Sequence, residues 1–281
     1  MPPDHGKTVL VTGASSGIGQ ATCLYLAEEG YDVIGTSRSL ERLGDLESEA
    51  STKNLGVTTV ELDINSDQGV RAVLPALIRS HGAIDALVNN AGYGLWGPLE
   101  SLSIAELKAQ FETNLFAAIR LIKAVLPEMT RQRHGTIINI SSVLGRMGTP
   151  FNGAYVASKF ALEGMSESLR TELWPFGVRI AVVEPGLIRT EFQKNQVIGQ
   201  DALSSDLPYS PYVRRYNSRH DRFNRLATDP VKVARVIHKI VRSRRPAFRY
   251  PVGPEARLGM MGARFLPERV FQAMLSRATL R

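Results

Sequence analysis

The chain has 281 residues, 43% of them apolar, which is enough to bury the core of one large domain. Its single cysteine, Cys23, excludes an intrachain disulfide, and no apolar run approaches the ~20 residues that span a bilayer. The net charge of +7 is uneven: residues 211–281 hold 17 Lys or Arg against 4 Asp or Glu, residues 1–210 hold 17 against 23, so an acidic body carries a basic C-terminal quarter.

Residues 7–13 (KTVLVTG) form a short β-rich run ending in glycine. The preceding residues lack the apolar stretch of a secretory signal, so a cytoplasmic protein is the default. Residues 16–30 have helical spacing, with Ile18, Cys23, Leu24 and Leu26 apolar, and stop at Gly30. Further strands are predicted at 31–38, 57–64, 84–92, 135–142 and 178–186, and helices at 66–81, 103–129 and 155–175. Nearly continuous Val/Ile/Leu strands separated by helices specify a parallel sheet covered on both faces. Right-handed crossovers make it an α/β, doubly wound sheet of the Rossmann type. Residues 191–227 break the pattern, and a loop this long reads as a substrate lid. Asp229 as N-cap and Pro230 in the first turn open a helix at 229–243. The basic extension 246–281 ends in a segment whose Val270, Phe271, Met274 and Leu275 share one helix face. The whole chain, 1–281, reads as a single domain.

Thr12 to Gly19 (TGASSGIG) joins the first strand to the first helix. Gly13, Gly17 and Gly19 permit a tight turn and close backbone approach to a pyrophosphate. Ser15, Ser16 and Ile18 sit where the helix N-terminus offers free N–H groups. The second strand ends in Thr36-Ser37-Arg38, with no acid to bond a ribose 2′-hydroxyl. Arg38 can instead pair with a 2′-phosphate and Ser37 can donate to it, which favours NADP(H) over NAD. The other reading leaves Arg38 stacked on adenine or facing solvent.

Asp63 follows the third strand, Asn89-Asn90-Ala91-Gly92 the fourth, and Ser142 the fifth. Asn114 lies in a long helix, Tyr155 and Lys159 stand four residues apart, and Pro185-Gly186 follow the sixth strand. In this order the motifs resemble the short-chain dehydrogenase/reductase family over roughly the first 190 residues. "NNAGYGLWGPLE" and the long extension resemble the branch similar to 17β-hydroxysteroid and retinol dehydrogenases.

A free tyrosine titrates near ~10, and a lysine ammonium one turn away is expected to lower that value, so that Tyr155 can give or take a proton at a carbonyl oxygen. The resemblance implies that Lys159 also bonds the nicotinamide ribose. It implies that Ser142, rather than Ser141, holds the substrate oxygen, and that Asn114 holds a water in a proton relay to Lys159. It places Asp63 and Ile64 at the adenine, and Asn90, Ala91 and Gly92 at the ribose. Pro185, Gly186, Ile188 and Thr190 fall around the nicotinamide, and a homodimer or homotetramer forms through 103–129 and 155–175. Ala154, Ala157 and Ser158 are expected to let the Tyr/Lys helix pack closely.

Val143, Met147, Phe151, Tyr93, Leu95, Trp96, Leu187 and Phe192 follow these motifs in the chain and make an apolar pocket wall, suited to a steroid-, retinoid- or fatty-carbonyl-like substrate. The five histidines (5, 81, 134, 220, 238) lack metal-ligand spacing, and no metal is expected. The tail has three readings: closure of the pocket, a subunit contact, or peripheral contact with an anionic membrane. No nucleic-acid partner is expected. The leading function is an NADP(H)-dependent alcohol/ketone oxidoreductase (EC 1.1.1.-); the alternative is a non-catalytic NADP-binding or redox-sensing protein on the same scaffold.

Overall fold

The computed structural model describes residues 6–192, 195–204, 206–213, 215–216 and 227–280; His5, His220 and parts of the 191–227 segment lie outside them. Six strands form in the order read from the sequence: β1 (Thr8–Thr12), β2 (Asp32–Ser37), β3 (Val57–Glu61), β4 (Ala86–Asn89), β6 (Gly135–Ile140) and β7 (Val178–Pro185). Two-residue strands β5 (Leu95–Trp96) and β8 (Val197–Ile198) pair separately, and β9 (Arg249–Val252) completes a seven-stranded sheet. Its order is β3-β2-β1-β4-β6-β7-β9, and every pair is parallel. The order reverses between β1 and β4, where doubly wound sheets bind ligands. β9 went unpredicted because RYPV carries Pro251, which a parallel ladder tolerates at an edge.

The alternation within strands explains their apolar runs. Val9, Val11, Val33, Val88, Ile138 and Val183 face one way, where α1 (Gly17–Glu28) packs beside α7 (Pro230–Arg242). Leu10, Ile34, Leu87, Ile137 and Val182 face the other way, against α3 (Asp67–His81), α5 (Ala117–Gln132) and α6 (Gly153–Leu173). Both faces are therefore covered, and the residues of the central strands β1, β4 and β6 are buried whichever way they point, whereas the edge strands β3 and β9 are partly exposed. The Asp229 side chain accepts from Val231 N at 2.8 Å, capping α7.

The long helix expected at 103–129 is interrupted. A capping box between Ser103 and Glu106 starts α4 (Ile104–Phe111), a π turn at Glu112–Phe116 follows, and α5 continues. A helix unpredicted from the sequence, α2 (Gly44–Thr52), precedes β3. The tail forms a hairpin of α8 (Pro254–Phe265) and α9 (Glu268–Leu280), broken at Leu266-Pro267. Phe271 packs over Gly262, where a Cβ would stand 3.3 Å from its ring, whereas Val270 and Met274 remain exposed, so the expected apolar face is only half covered. No described helix is long and apolar enough to cross a membrane.

Candidate active site

The C-terminal ends of the parallel strands gather the motif residues at one edge. After β1, Gly13 and Gly17 take positive φ (65° and 58°), open to glycine at little cost. A Cβ on Gly13 would sit 2.8 Å from Ala91 Cα, and one on Gly19 would sit 2.1 Å from the Gly13 carbonyl oxygen. The turn is therefore closed against its own helix and against the segment after β4. Thr12 ties the two together, its hydroxyl accepting from Asn90 N (3.1 Å) and Ala91 N (3.0 Å). Asn90 Nδ2 donates to the Thr12 and Gly13 carbonyls at 2.8 and 3.2 Å, so its side chain braces the turn. Ser16 precedes α1 without capping it by side chain, which leaves the first-turn amides for an anion; Ser15 and Ile18 are half-buried beside it. Thr190 closes over the turn, 2.9 Å from a Cβ built on Gly17.

Ser37 is buried and Arg38 is exposed at the end of β2. Asp63 is exposed after β3 and accepts from Asn65 N at 3.0 Å. Ile64 is in the core, and its carbonyl accepts from Arg120. Pro185 is buried and Gly186 N donates to the Val252 carbonyl, so β9 holds the turn after β7. The Ile188 side chain joins the core, and its backbone forms a parallel bridge with Thr228. This glycine cradle, free helix amides and exposed arginine are of the kind a phosphorylated dinucleotide needs, and the residues fit one.

At the end of β6, Ser142 Oγ accepts from Leu144 N at 3.1 Å and lies near enough to Tyr155 to favour its phenolate, while Ser141 turns away toward Gly145 and Glu163. Tyr155 and Lys159 are buried on α6, with Lys159 Nζ 5.7 Å from the tyrosine ring centre and donating to the Ile140 carbonyl at 2.8 Å. Here the structure corrects an expectation: in the chain by itself the Tyr155 phenol is pushed up to about 12, not down. Burial strips the phenolate of hydration, the Ser142 hydroxyl offsets only part of that, and the Lys159 charge is directed at a carbonyl. Burial likewise pulls Lys159 down to about 8, against an upward pull from Glu163.

Asn114 sits in the π turn, a distortion common at functional sites. Both its amide protons are committed, to Tyr93 O (2.9 Å) and Ser158 Oγ (3.1 Å), and its oxygen accepts from Tyr93 N (3.1 Å). It thus locks the segment after β4 to α6, and a Cβ on Gly92 would stand 3.0 Å from its oxygen and 3.8 Å from Lys159 Nζ. Of the small residues on α6, Ala154 and Ser158 are buried in this contact, but Ala157 faces solvent.

The expected pocket wall divides. The Phe192 ring packs 5.8 Å from that of Tyr155. Leu95 is core, packed with Leu102, Ala154 and Tyr93. Trp96 and Phe151 meet at 5.8 Å, and each lies 5.7 Å from Tyr216, which sequence reading missed because nothing local marks it. Phe151 holds a left-handed backbone (φ 61°), fixed by Gly97 N donating to its carbonyl at 2.8 Å. Asn152 Nδ2 donates to the Tyr216 hydroxyl at 3.0 Å. Val143 and Leu187 are half-buried, and Met147 lies against Gly259 of α8. A cleft of about 410 Å³ runs between Phe151, Leu99, Tyr209, Tyr212 and Leu280.

Residues 7–201 match the short chain dehydrogenase family. The chain belongs to that family. It is 42% identical to retinol dehydrogenase 8 of Bos taurus over 88% of this chain and 81% of that one, and 35% identical to 17-beta-hydroxysteroid dehydrogenase type 1 of Homo sapiens over 86% and 76%. It is 37% identical to 3-ketodihydrosphingosine reductase of Bacteroides thetaiotaomicron over 96% of both. Among solved structures, a short-chain dehydrogenase from Streptomyces avermitilis superposes with a TM-score of 0.82 at 31% identity, covering 97% of this chain and 96% of that one. A metagenomic short-chain oxidoreductase in complex with NADP gives 0.71 at 30%, covering 89% and 98%. The chain is thus an oxidoreductase-family protein of the retinol/hydroxysteroid-like branch on a Rossmann-type sheet.

Proposed function

We propose that the chain is an NADP(H)-dependent oxidoreductase interconverting a lipophilic alcohol with its ketone or aldehyde. The observation that carries this reading is the buried cluster of Ser142, Tyr155 and, one turn on, Lys159, whose Nζ lies 5.7 Å from the tyrosine ring centre, at the strand ends that also hold the glycine turn. NADPH, when bound, supplies the hydride. Gly13 to Gly19 cradle its pyrophosphate, Ser37 and Arg38 meet the 2′-phosphate, and Asp63, Asn90 to Gly92, and Pro185 to Thr190 surround the rest. Ser142 holds the substrate oxygen, and Tyr155 delivers the proton to it. A phenol held protonated near neutrality suits the donor's part, which supports carbonyl reduction.

The substrate class rests on the apolar wall of Phe192, Phe151, Trp96 and Met147 and on relatives named for retinol, a steroid and a ketosphingoid base. The lid contains Tyr216, bonded to Asn152, and Arg215, whose Nη1 donates to the Leu280 carbonyl, so lid and tail cover the cleft together. This favours closure over membrane contact for the tail. Self-association uses exposed Ile104, Phe116 and Phe160 beside a cleft of about 460 Å³. Tyr155→Phe is expected to abolish NADPH-dependent reduction of steroid, retinoid and long-chain keto substrates while leaving NADPH binding intact. Retained turnover in that variant would refute the assignment.

A further inference from the structure

Behind Tyr155 and Lys159 lies a group of buried charges that the proposed reaction does not use. Glu163 follows Lys159 by one turn of α6, so the two side chains share a face. Lys159 is 5% exposed and Glu163 is 4% exposed. β9 contributes Arg249, whose Nε donates to Glu163 Oε2 at 3.0 Å and whose Nη2 donates to Glu167 Oε2 at 2.8 Å. The end of β7 contributes Glu184, with a fully buried side chain; its Oε1 lies 3.3 Å from Arg146 Nη1 and 3.7 Å from Arg249 Nε. Gly145 lets the loop after β6 close on this group: a Cβ there would stand 3.1 Å from Glu163 Cγ and 3.3 Å from the Lys159 carbonyl oxygen.

The hydrogen bonds leave the charges unevenly matched. Lys159 Nζ donates to the Ile140 carbonyl, which occupies a proton but does not balance a buried cation. Among the described residues, Glu163 Oε1 and Glu184 Oε2 have no hydrogen-bond partner, so each carboxylate is only half satisfied there. Two buried carboxylates beside each other resist double ionisation. Arg249 bonds Glu163 at 3.0 Å and stands 3.7 Å from Glu184, and burial with the nearby Glu163 charge raises the Glu184 carboxyl. The charged groups facing this cluster are Lys159 and Glu167 from α6, Arg249 from β9, Glu184 from β7 and Arg146 from the loop after β6; Tyr155 adds a neutral phenol.

We propose that Glu163, clamped by Arg249 and backed by Glu184, is a positioning residue whose carboxylate holds the buried Lys159 side chain charged. Its effect on turnover rests on the reading of Tyr155 and Lys159 given above; the coupling of the two charges does not. The upward pull of Glu163 on Lys159, opposing burial, agrees with this. The test is a titration of the full chain carrying lysine labelled with carbon-13 at the ε position, followed by NMR, with the Lys159 signal identified by its loss in Lys159→Met. The wild-type signal is expected to titrate at about 8. In Glu163→Gln the midpoint is expected to fall by about one pH unit, tenfold in the protonation equilibrium. Glu163→Asp keeps the charge and restores most of the midpoint, and Glu167→Gln leaves it in place. Glu184→Gln moves it less than Glu163→Gln does.

A wild-type midpoint in Glu163→Gln overturns the proposal, as does a fall in Glu163→Asp as large as in Glu163→Gln. A pH–rate profile in the same buffers separates the two readings. If the alkaline limb of kcat/KM falls with the Lys159 midpoint, both stand. If the midpoint moves and the profile does not, the charge coupling stands and the use of Lys159 in turnover falls.

Discussion

Glu184→Gln removes a carboxylate from the end of β7 while keeping its shape. In the folded chain, burial first and the Glu163 charge second push this carboxyl from 4.5 up to about 7, against the pull of Arg146 and Arg249. The folded state therefore holds the proton more tightly than the unfolded chain does. The stability this confers is fully present below the unfolded carboxyl value and is lost as pH rises through about 7. At about 1.4 kcal/mol per unit, the loss across that window is at most about 3.5 kcal/mol, or roughly 7–14 °C in Tm. Glutamine stays neutral throughout, so the wild-type Tm is expected to fall relative to the variant between pH 4.5 and 8. Differential scanning calorimetry at half-unit pH intervals measures the difference directly, since other titrating groups are common to both proteins. A difference curve that is flat with pH refutes the reasoning, because it would mean that the buried carboxylate ionises at no cost.

Gly19→Ala places a Cβ 2.1 Å from the Gly13 carbonyl oxygen, so the turn must shift; a loss of about 1–3 kcal/mol in urea unfolding and at least tenfold weaker NADPH binding are expected. Arg38→Ala removes a charge-assisted contact worth about 1.5–3 kcal/mol, so the KM for NADPH rises roughly tenfold or more while that for NADH changes little. Equal effects on both cofactors, in steady-state kinetics, would return Arg38 to solvent. Phe116→Glu puts a charge on an exposed apolar site and is expected to shift a dimer toward monomer in light scattering; an unchanged mass moves the subunit contact elsewhere.

Much of the site could be read from residue order. Gly13, Gly17 and Gly19 are legible as a tight turn because their backbone conformation and closeness leave little else possible, whereas Tyr155 and Lys159 are singled out by their place in the order of motifs rather than by their spacing, which only puts them one helical turn apart. The environment of those residues was not legible. A lysine one turn from a tyrosine reads as a cation beside a phenol, yet the fold aims Lys159 at the Ile140 carbonyl and buries the phenol, which reverses the expected shift. Asn114 reads as a helix residue, and the π turn that carries it has no sequence marker here. Glu163 lies within the Tyr/Lys stretch and Glu184 interrupts the run VRIAVVEPG, so a charge in an apolar strand was the available signal. Their partner Arg249 comes from a strand hidden by Pro251.

The sequence by itself determined six of the seven strands of the main sheet, the helices α1, α3, α6 and α7, the sheet covered on both faces and the glycine turn, since each depends on local periodicity or on backbone freedom. Tertiary structure alone decided which residues share a charge. Residues 146, 163, 184 and 249 stand on four separate elements, and only the packing of α6 across the ends of β6, β7 and β9 brings them together. Electrostatic coupling depends on distance and on the exclusion of water, and neither is written in sequence spacing.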